Sequence, residues 1–208
     1  MSLKKRTVVM LAVSTVSVAA FALQLRSPTG QFDPVDYNPD LAEFRGTVKA
    51  EWIRTNDPKE AKKFKLLDTV EYTASNGSLW KADSGSEIDG ASIPRIFWTL
   101  VGAPTTGLYR DASVIHDVYC DNRERSWEET HWVFHDACRE AGLGPWKANL
   151  MYLAVFHYGP IWDIEGDLRR GVQSVNEETA EKMRDFCRDN PNLTIEELRL
   201  LDPRVWEI

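Results

Sequence analysis

The sequence has little of what a nucleic-acid binder needs. It sets 25 basic residues against 32 acidic ones, a formal charge of −7. The first 22 residues hold Lys4, Lys5 and Arg6 and no acid, so the rest of the chain has 22 basic against 32 acidic residues, a net of −10. Binding to a phosphate backbone requires a concentrated Lys/Arg surface, so no nucleic-acid partner is expected. Cysteine is scarce, with three in 208 residues, and none directly follows the apolar N-terminal run. That argues against a lipoprotein anchor. There is no internal repeat, no G-x-S-x-G elbow and no Gly-rich calcium loop.

Aromatic residues and a long apolar start are present. Eight Trp, eight Phe and six Tyr supply large side chains for a core, and the length suits one domain with tails. Lys4-Lys5-Arg6 precedes an apolar stretch from Thr7 to Leu25, with Ala20-Phe21-Ala22 as a small-x-small cleavage site. Residues 1–25 therefore read as a signal peptide or as a retained membrane anchor, with a buried apolar helix as a third reading. In the first two readings the body lies across the membrane, in the cell envelope or the periplasm, where disulfides persist.

Residues 26–47 carry Pro28, Gly30, Pro34 and Pro39 without a sustained period, which indicates a linker or an extended strap. Val48–Arg54 and Phe64–Tyr72 read as strands. Ser75-Asn76-Gly77-Ser78 is a turn, and Leu79–Ala82 is the returning strand of a hairpin. Three helices follow: Leu108–Asp121, a second opened by the capping box Ser126-Trp127-Glu128-Glu129 and ended at Gly142, and Trp146–Tyr158. The third is apolar nearly all round, so it is the most buried. From Asp163 the chain is charged, with an amphipathic helix over Asn176–Arg188 and a short capped helix from Thr194. The expected class is α+β: a small antiparallel hairpin or sheet, then a three-helix unit. The divisions are 1–25, a linker 26–47, a domain 48–162 and a helical tail 163–208.

Candidate chemistry lies between Asp89 and Cys138, which enclose three of the four histidines. His116 falls on the apolar face of its helix, and Asp117 is turned about 100° from it. His131 and His135 are four apart, so they share one helix face at metal-ligand spacing. His131 flanks the apolar stripe, whereas His135 points further out, toward solvent. Asp89 precedes small residues in a loop where backbone can approach closely. The candidate metal set is Asp89, His116 and His131, with His116 and Asp117 as candidate catalytic groups and a divalent metal such as zinc as cofactor. The plainer alternative is a buried hydrogen-bonded pair of Asp89 and His116 that only stabilises. Ser92 next to Ile93-Pro94 is a structural hydroxyl before it is a nucleophile. Cys120 and Cys138 stand on consecutive helices, and a bridge between them suits an oxidising compartment.

The residues Asp89-Gly90-Ala91-Ser92-Ile93-Pro94, Trp98, Arg110-Asp111-Ala112-Ser113-Val114-Ile115-His116-Asp117, Gly142, Met151-Tyr152 and Gly159 resemble domain-of-unknown-function family 1353, found in phages and bacteria. The resemblance covers about Phe64 to Trp162. It implies a phage- or prophage-type accessory protein and names no activity. Two positions depart from the family pattern. Cys120 stands where a Tyr usually follows the His-Asp pair, with Tyr119 one place early. His131 aligns with a position usually held by Asp, and both types ligate metals. The His-Asp helix is also similar to that of secreted phospholipase A2, where the His is a base and the Asp binds calcium; here no C-C-x-x-H-D run precedes it. Three functions follow as expectations: a metal-dependent hydrolase, a non-catalytic accessory protein, and a phospholipase-like esterase with His116 as base.

Overall fold

The computed structural model describes residues 32–53, 63–89, 92–102 and 107–206. The apolar segment 1–25 and its cleavage site lie outside them, as do Gly90 and Ala91 of the Asp89 loop. None of the helices among the described residues is long and apolar enough to cross a membrane.

The architecture is α+β, with small antiparallel sheets ahead of the helices. Strands β1 (Glu43–Arg45), β2 (Ala50–Trp52), β3 (Phe64–Leu66), β4 (Val70–Thr73), β5 (Leu79–Ala82) and β6 (Glu87–Ile88) form two three-stranded sheets, ordered β1-β4-β5 and β2-β3-β6. In the first sheet the pleat sorts the side chains: Val70, Tyr72, Trp80 and Ala82 are buried, while Lys81 faces water. The turn after β4 needs Gly77, whose φ of +80° is open to glycine and strained for most other residues. Its N–H donates to Ala74 O, and the Asn76 side chain accepts from Ser78 N.

Phe64–Tyr72 is not one strand. The chain bends at Leu67-Asp68, so β3 and β4 serve different sheets. The described part of residues 26–47 is a packed strap. Within it, Phe44 stacks on Tyr72 at 4.6 Å, Val35 O accepts from Trp132 Nε1 at 2.9 Å, and Tyr37 donates to Glu140 at 2.7 Å. Prolines suppress periodicity here, yet they leave backbone acceptors and aromatic rings that find partners far along the chain.

Helices α1 (Ile96–Val101), α2 (Arg110–Asn122), α3 (Trp127–Glu140) and α4 (Pro145–Tyr158) come next. The ribbon β7 (Ile161–Trp162) and β8 (Leu168–Arg170) follows, then α5 (Glu177–Asp189) and α6 (Ile195–Arg199). Ser126 caps α3 by accepting from Glu129 N at 3.2 Å. Pro145 at the first turn of α4 donates no hydrogen bond where none is needed. Helix α2 is enclosed between β4, β5 and β6 on one side and α3 on the other. Helix α4 packs against α3 and carries α5 and α6 on its far side. Every residue of α2 from Ala112 to Cys120 is therefore buried.

Candidate functional site

The candidate site is a polar seam inside the core, where α2 faces α3. His116 and His131 are both fully buried, and His116 Nε2 lies 2.9 Å from His131 Nδ1. His131 Nε2 lies 3.0 Å from Pro160 O. A carbonyl oxygen only accepts, so the His131 hydrogen sits on Nε2 and its Nδ1 offers a lone pair. His116 Nε2 must then donate to it. The result is a directed ladder, His116 to His131 to the Pro160 carbonyl.

One turn beyond His116 on α2, Cys120 places Sγ 3.6 Å from His116 Nε2. The donor atoms of His116, Cys120 and His131 all lie within 4.8 Å of one another, and the group could hold a metal ion. Apolar rings surround it. Phe134 lies 4.5 Å from the His116 ring, and Trp127 and Trp162 present edges toward His131 at 5.7 and 6.2 Å.

Burial governs the charges. It drives His131 down to about 3 and His116 well below the ordinary imidazole value, the latter reinforced by His131. Burial likewise pushes the Cys120 thiol well up. The Asp117 charge adds to that rise, and a hydrogen bond with Ser92 opposes it. At neutral pH the ladder is uncharged. An imidazole held that low is a weak base, far from the pKa that general-base catalysis favours.

The structure joins some of the expected residues and substitutes others. His116 and His131 come together. The third member of the group is Cys120, one helical turn from His116, where Asp89 was expected. Asp89 sits half-buried after β6, and its charge is felt at Asp121 and Lys63. Asp117 is buried beside His116 on α2. The expected Cys120–Cys138 bridge is absent: both residues, and Cys187, are buried free thiols. Cys120 faces His116 rather than Cys138.

His135 is buried rather than turned to solvent, because α4 covers that side of α3. Its Nε2 lies 2.9 Å from Asn149 Oδ1. Tyr119, the displaced tyrosine, packs its ring on Trp80 at 4.6 Å, and its hydroxyl accepts from Lys81 N at 3.2 Å.

Sequence reading missed Asp136. This buried carboxylate accepts from Tyr72 Oη at 2.7 Å, Ser75 N at 2.8 Å and Ser75 Oγ at 2.6 Å. Ser75 Oγ in turn accepts from Asn38 N at 2.7 Å. Desolvation raises the Asp136 carboxyl above its usual value, and the three donors pull it back. One residue thus ties the strap and the hairpin turn to α3.

The fold and seam define a class: a small α+β domain whose hairpin and helix pair are joined by buried polar groups. Residues 64–155 match the model of a family described as "Protein of unknown function (DUF1353)", the family that the Asp89 loop and the His-Asp helix resemble. An uncharacterized protein of Sinorhizobium fredii (strain NBRC 101917 / NGR234), y4jT, is 40% identical over 127 residues, covering 60% of this chain and 37% of its own length. A second uncharacterized protein of that strain, y4iH, is 36% identical over 157 residues, covering 76% of this chain and 62% of its own. The chain therefore spans less than two thirds of either relative. No solved structure matches it.

Proposed function

We propose that this is a phage- or prophage-type accessory protein, exported or anchored through its N-terminal apolar segment, whose polar seam holds the domain together and does not turn over a substrate. Burial of the seam carries the reading: His116 and His131 are 0% exposed, Cys120 5% and Asp117 4%. A base or metal-bound water at such a place is shielded from a polymeric or lipid substrate. The ladder also pairs three of its four ring nitrogens, ending on a backbone carbonyl, and the fourth, His116 Nδ1, has Cys120 Sγ at 3.9 Å. Buried polar groups paired in this way fix the register of the elements they join.

A metal-dependent hydrolase is the second reading, favoured by the His116–Cys120–His131 group. There a bound ion would activate water for attack on an ester or amide. The phospholipase-like reading has less support, because His116 already donates to His131 and lies away from solvent.

The deciding experiment measures two properties of His116→Ala in the purified chain. The accessory reading expects a lower unfolding midpoint, with no hydrolysis of model esters, model amides or phospholipid vesicles by either protein, with or without added zinc or calcium. Turnover by the parent protein that disappears in a still-folded His116→Ala overturns it.

A further inference from the structure

We infer that His116 Nε2, Cys120 Sγ and His131 Nδ1 form a buried site for one zinc-type transition-metal ion. The two candidate sets differ chemically. Asp89, His116 and His131 would offer oxygen and nitrogen, whereas the assembled group offers two imidazoles and a thiol. Imidazole suits zinc, and thiolate selects zinc over the hard cations magnesium and calcium.

Two of the three ligand separations are near those of tetrahedral coordination, and the third, Cys120 Sγ to His131 Nδ1, lies within 4.8 Å. Zinc bonds of about 2.0–2.1 Å to nitrogen and about 2.3 Å to sulfur put tetrahedral N···N pairs about 3.3 Å apart and N···S pairs about 3.5 Å apart. The structure has 3.6 Å from Cys120 Sγ to His116 Nε2 and 2.9 Å from His116 Nε2 to His131 Nδ1. To take the ion, the two rings part by about 0.4 Å and Cys120 Sγ closes on His131 Nδ1 by up to about 1.3 Å, a side-chain adjustment within the seam.

The surroundings are arranged as ligands require. His131 gives its Nε2–H to the Pro160 carbonyl, which fixes the tautomer that leaves Nδ1 bare. Phe134, Trp127 and Trp162 form an apolar shell that keeps competing water away. Ser92, hydrogen-bonded to Cys120, is a polar partner beside the thiol. The proton balance is simple. His116 shifts its hydrogen from Nε2 to Nδ1 without net loss, and Cys120 loses its thiol hydrogen. Each bound ion therefore releases one proton.

This inference goes beyond the accessory reading, which rests on stability and on absence of turnover and survives if no ion binds. The test titrates the full purified chain, reduced and stripped of metal, with Co²⁺ and then Zn²⁺. One ion per chain is expected, with a thiolate-to-cobalt charge-transfer band, displacement by Zn²⁺, one proton released per ion, and a higher unfolding midpoint. Cys120→Ser should abolish the band and weaken binding by about 100-fold or more. Cys138→Ser, at an equally buried thiol outside the group, should leave both unchanged. The site is overturned by no saturable binding, by a band that survives Cys120→Ser, or by a band lost in folded Cys138→Ser.

Discussion

At the scale of single residues, Asp136 gathers three buried hydrogen bonds on one carboxylate. Its two oxygens take three donors from the hairpin, all in the interior. Asp136→Asn keeps the shape but exchanges a charged acceptor oxygen for an –NH₂ that only donates, so at least one of the three bonds is lost or reversed. We expect a loss of about 2–4 kcal/mol, read as a lower urea midpoint at unchanged slope. Tyr72→Phe removes a single donor and should cost about 1–3 kcal/mol. His116 and His131 behave differently, because each is the other's partner. Their single alanine variants should each be destabilising. The double variant should lose about 0.5–3 kcal/mol less than the sum, measured as a double-mutant cycle in metal-free buffer. The histidines were visible in the sequence because helical phase put both near an apolar stripe. Cys120 has the same phase, one turn on, but its role depends on which side of α3 it meets. Asp136 could not be read from spacing, since its partners are 61 and 64 positions away.

At the scale of elements, the junction between α4 and the ribbon links packing to the seam. Gly159 follows α4 with φ −76°, so backbone freedom is not the reason for glycine. Space is the reason: a Cβ there would stand 2.3 Å from Val155 O. The next residue supplies the carbonyl that fixes His131. Gly159→Ala should therefore cost about 1–3 kcal/mol through overpacking. It should also weaken Co²⁺ binding by about 10-fold, as expected when a ligand's outer partner is displaced. Intact affinity in a destabilised Gly159→Ala would separate the junction from the seam. The sequence marks this break by Gly-Pro alone, which shows where α4 stops but not what the chain then touches. Helix starts were legible for the same local reason: the caps at Ser126, Asn176 and Thr194 all accept from backbone N–H groups. The strand pairings were less so. β1 pairs with β4 across 28 positions from Phe44 to Tyr72, and only the assembled sheet shows that the strap belongs to it. His135 was misplaced because α3 is covered on both sides, which erases the polar face that phase reasoning assumes.

At the scale of the whole molecule, buried ionisable groups set the pH range of stability, with terms of opposite sign. Burial lowers His135 and His157 to about 4. Below an unfolded value of about 6.5 the unfolded chain takes up protons that the folded chain refuses, so stability falls as pH drops, by up to about 1.4 kcal/mol per pH unit for each imidazole. Glu128 works the other way. Desolvation raises it to about 7, opposed by a backbone hydrogen bond and the charge of Arg199. Between about 4.5 and 7 the folded chain holds a proton there that the unfolded chain has lost, so its contribution grows as pH falls and vanishes as pH rises through 7. Two imidazoles outweigh one carboxyl, and the low values of His116 and His131 add to their side. Stability should therefore rise with pH through this range and level off above about pH 7. Below about pH 6.5 it should fall steeply, the loss reaching the scale of the whole folding free energy near pH 4.5. Urea midpoints at half-unit steps from pH 4.5 to 8 check the shape. His135→Gln should flatten the acid limb by about 1.4 kcal/mol per unit, while Glu128→Gln should steepen it. A flat acid limb in the parent protein would mean that these imidazoles are already charged in the folded state, which contradicts a seam built from neutral rings.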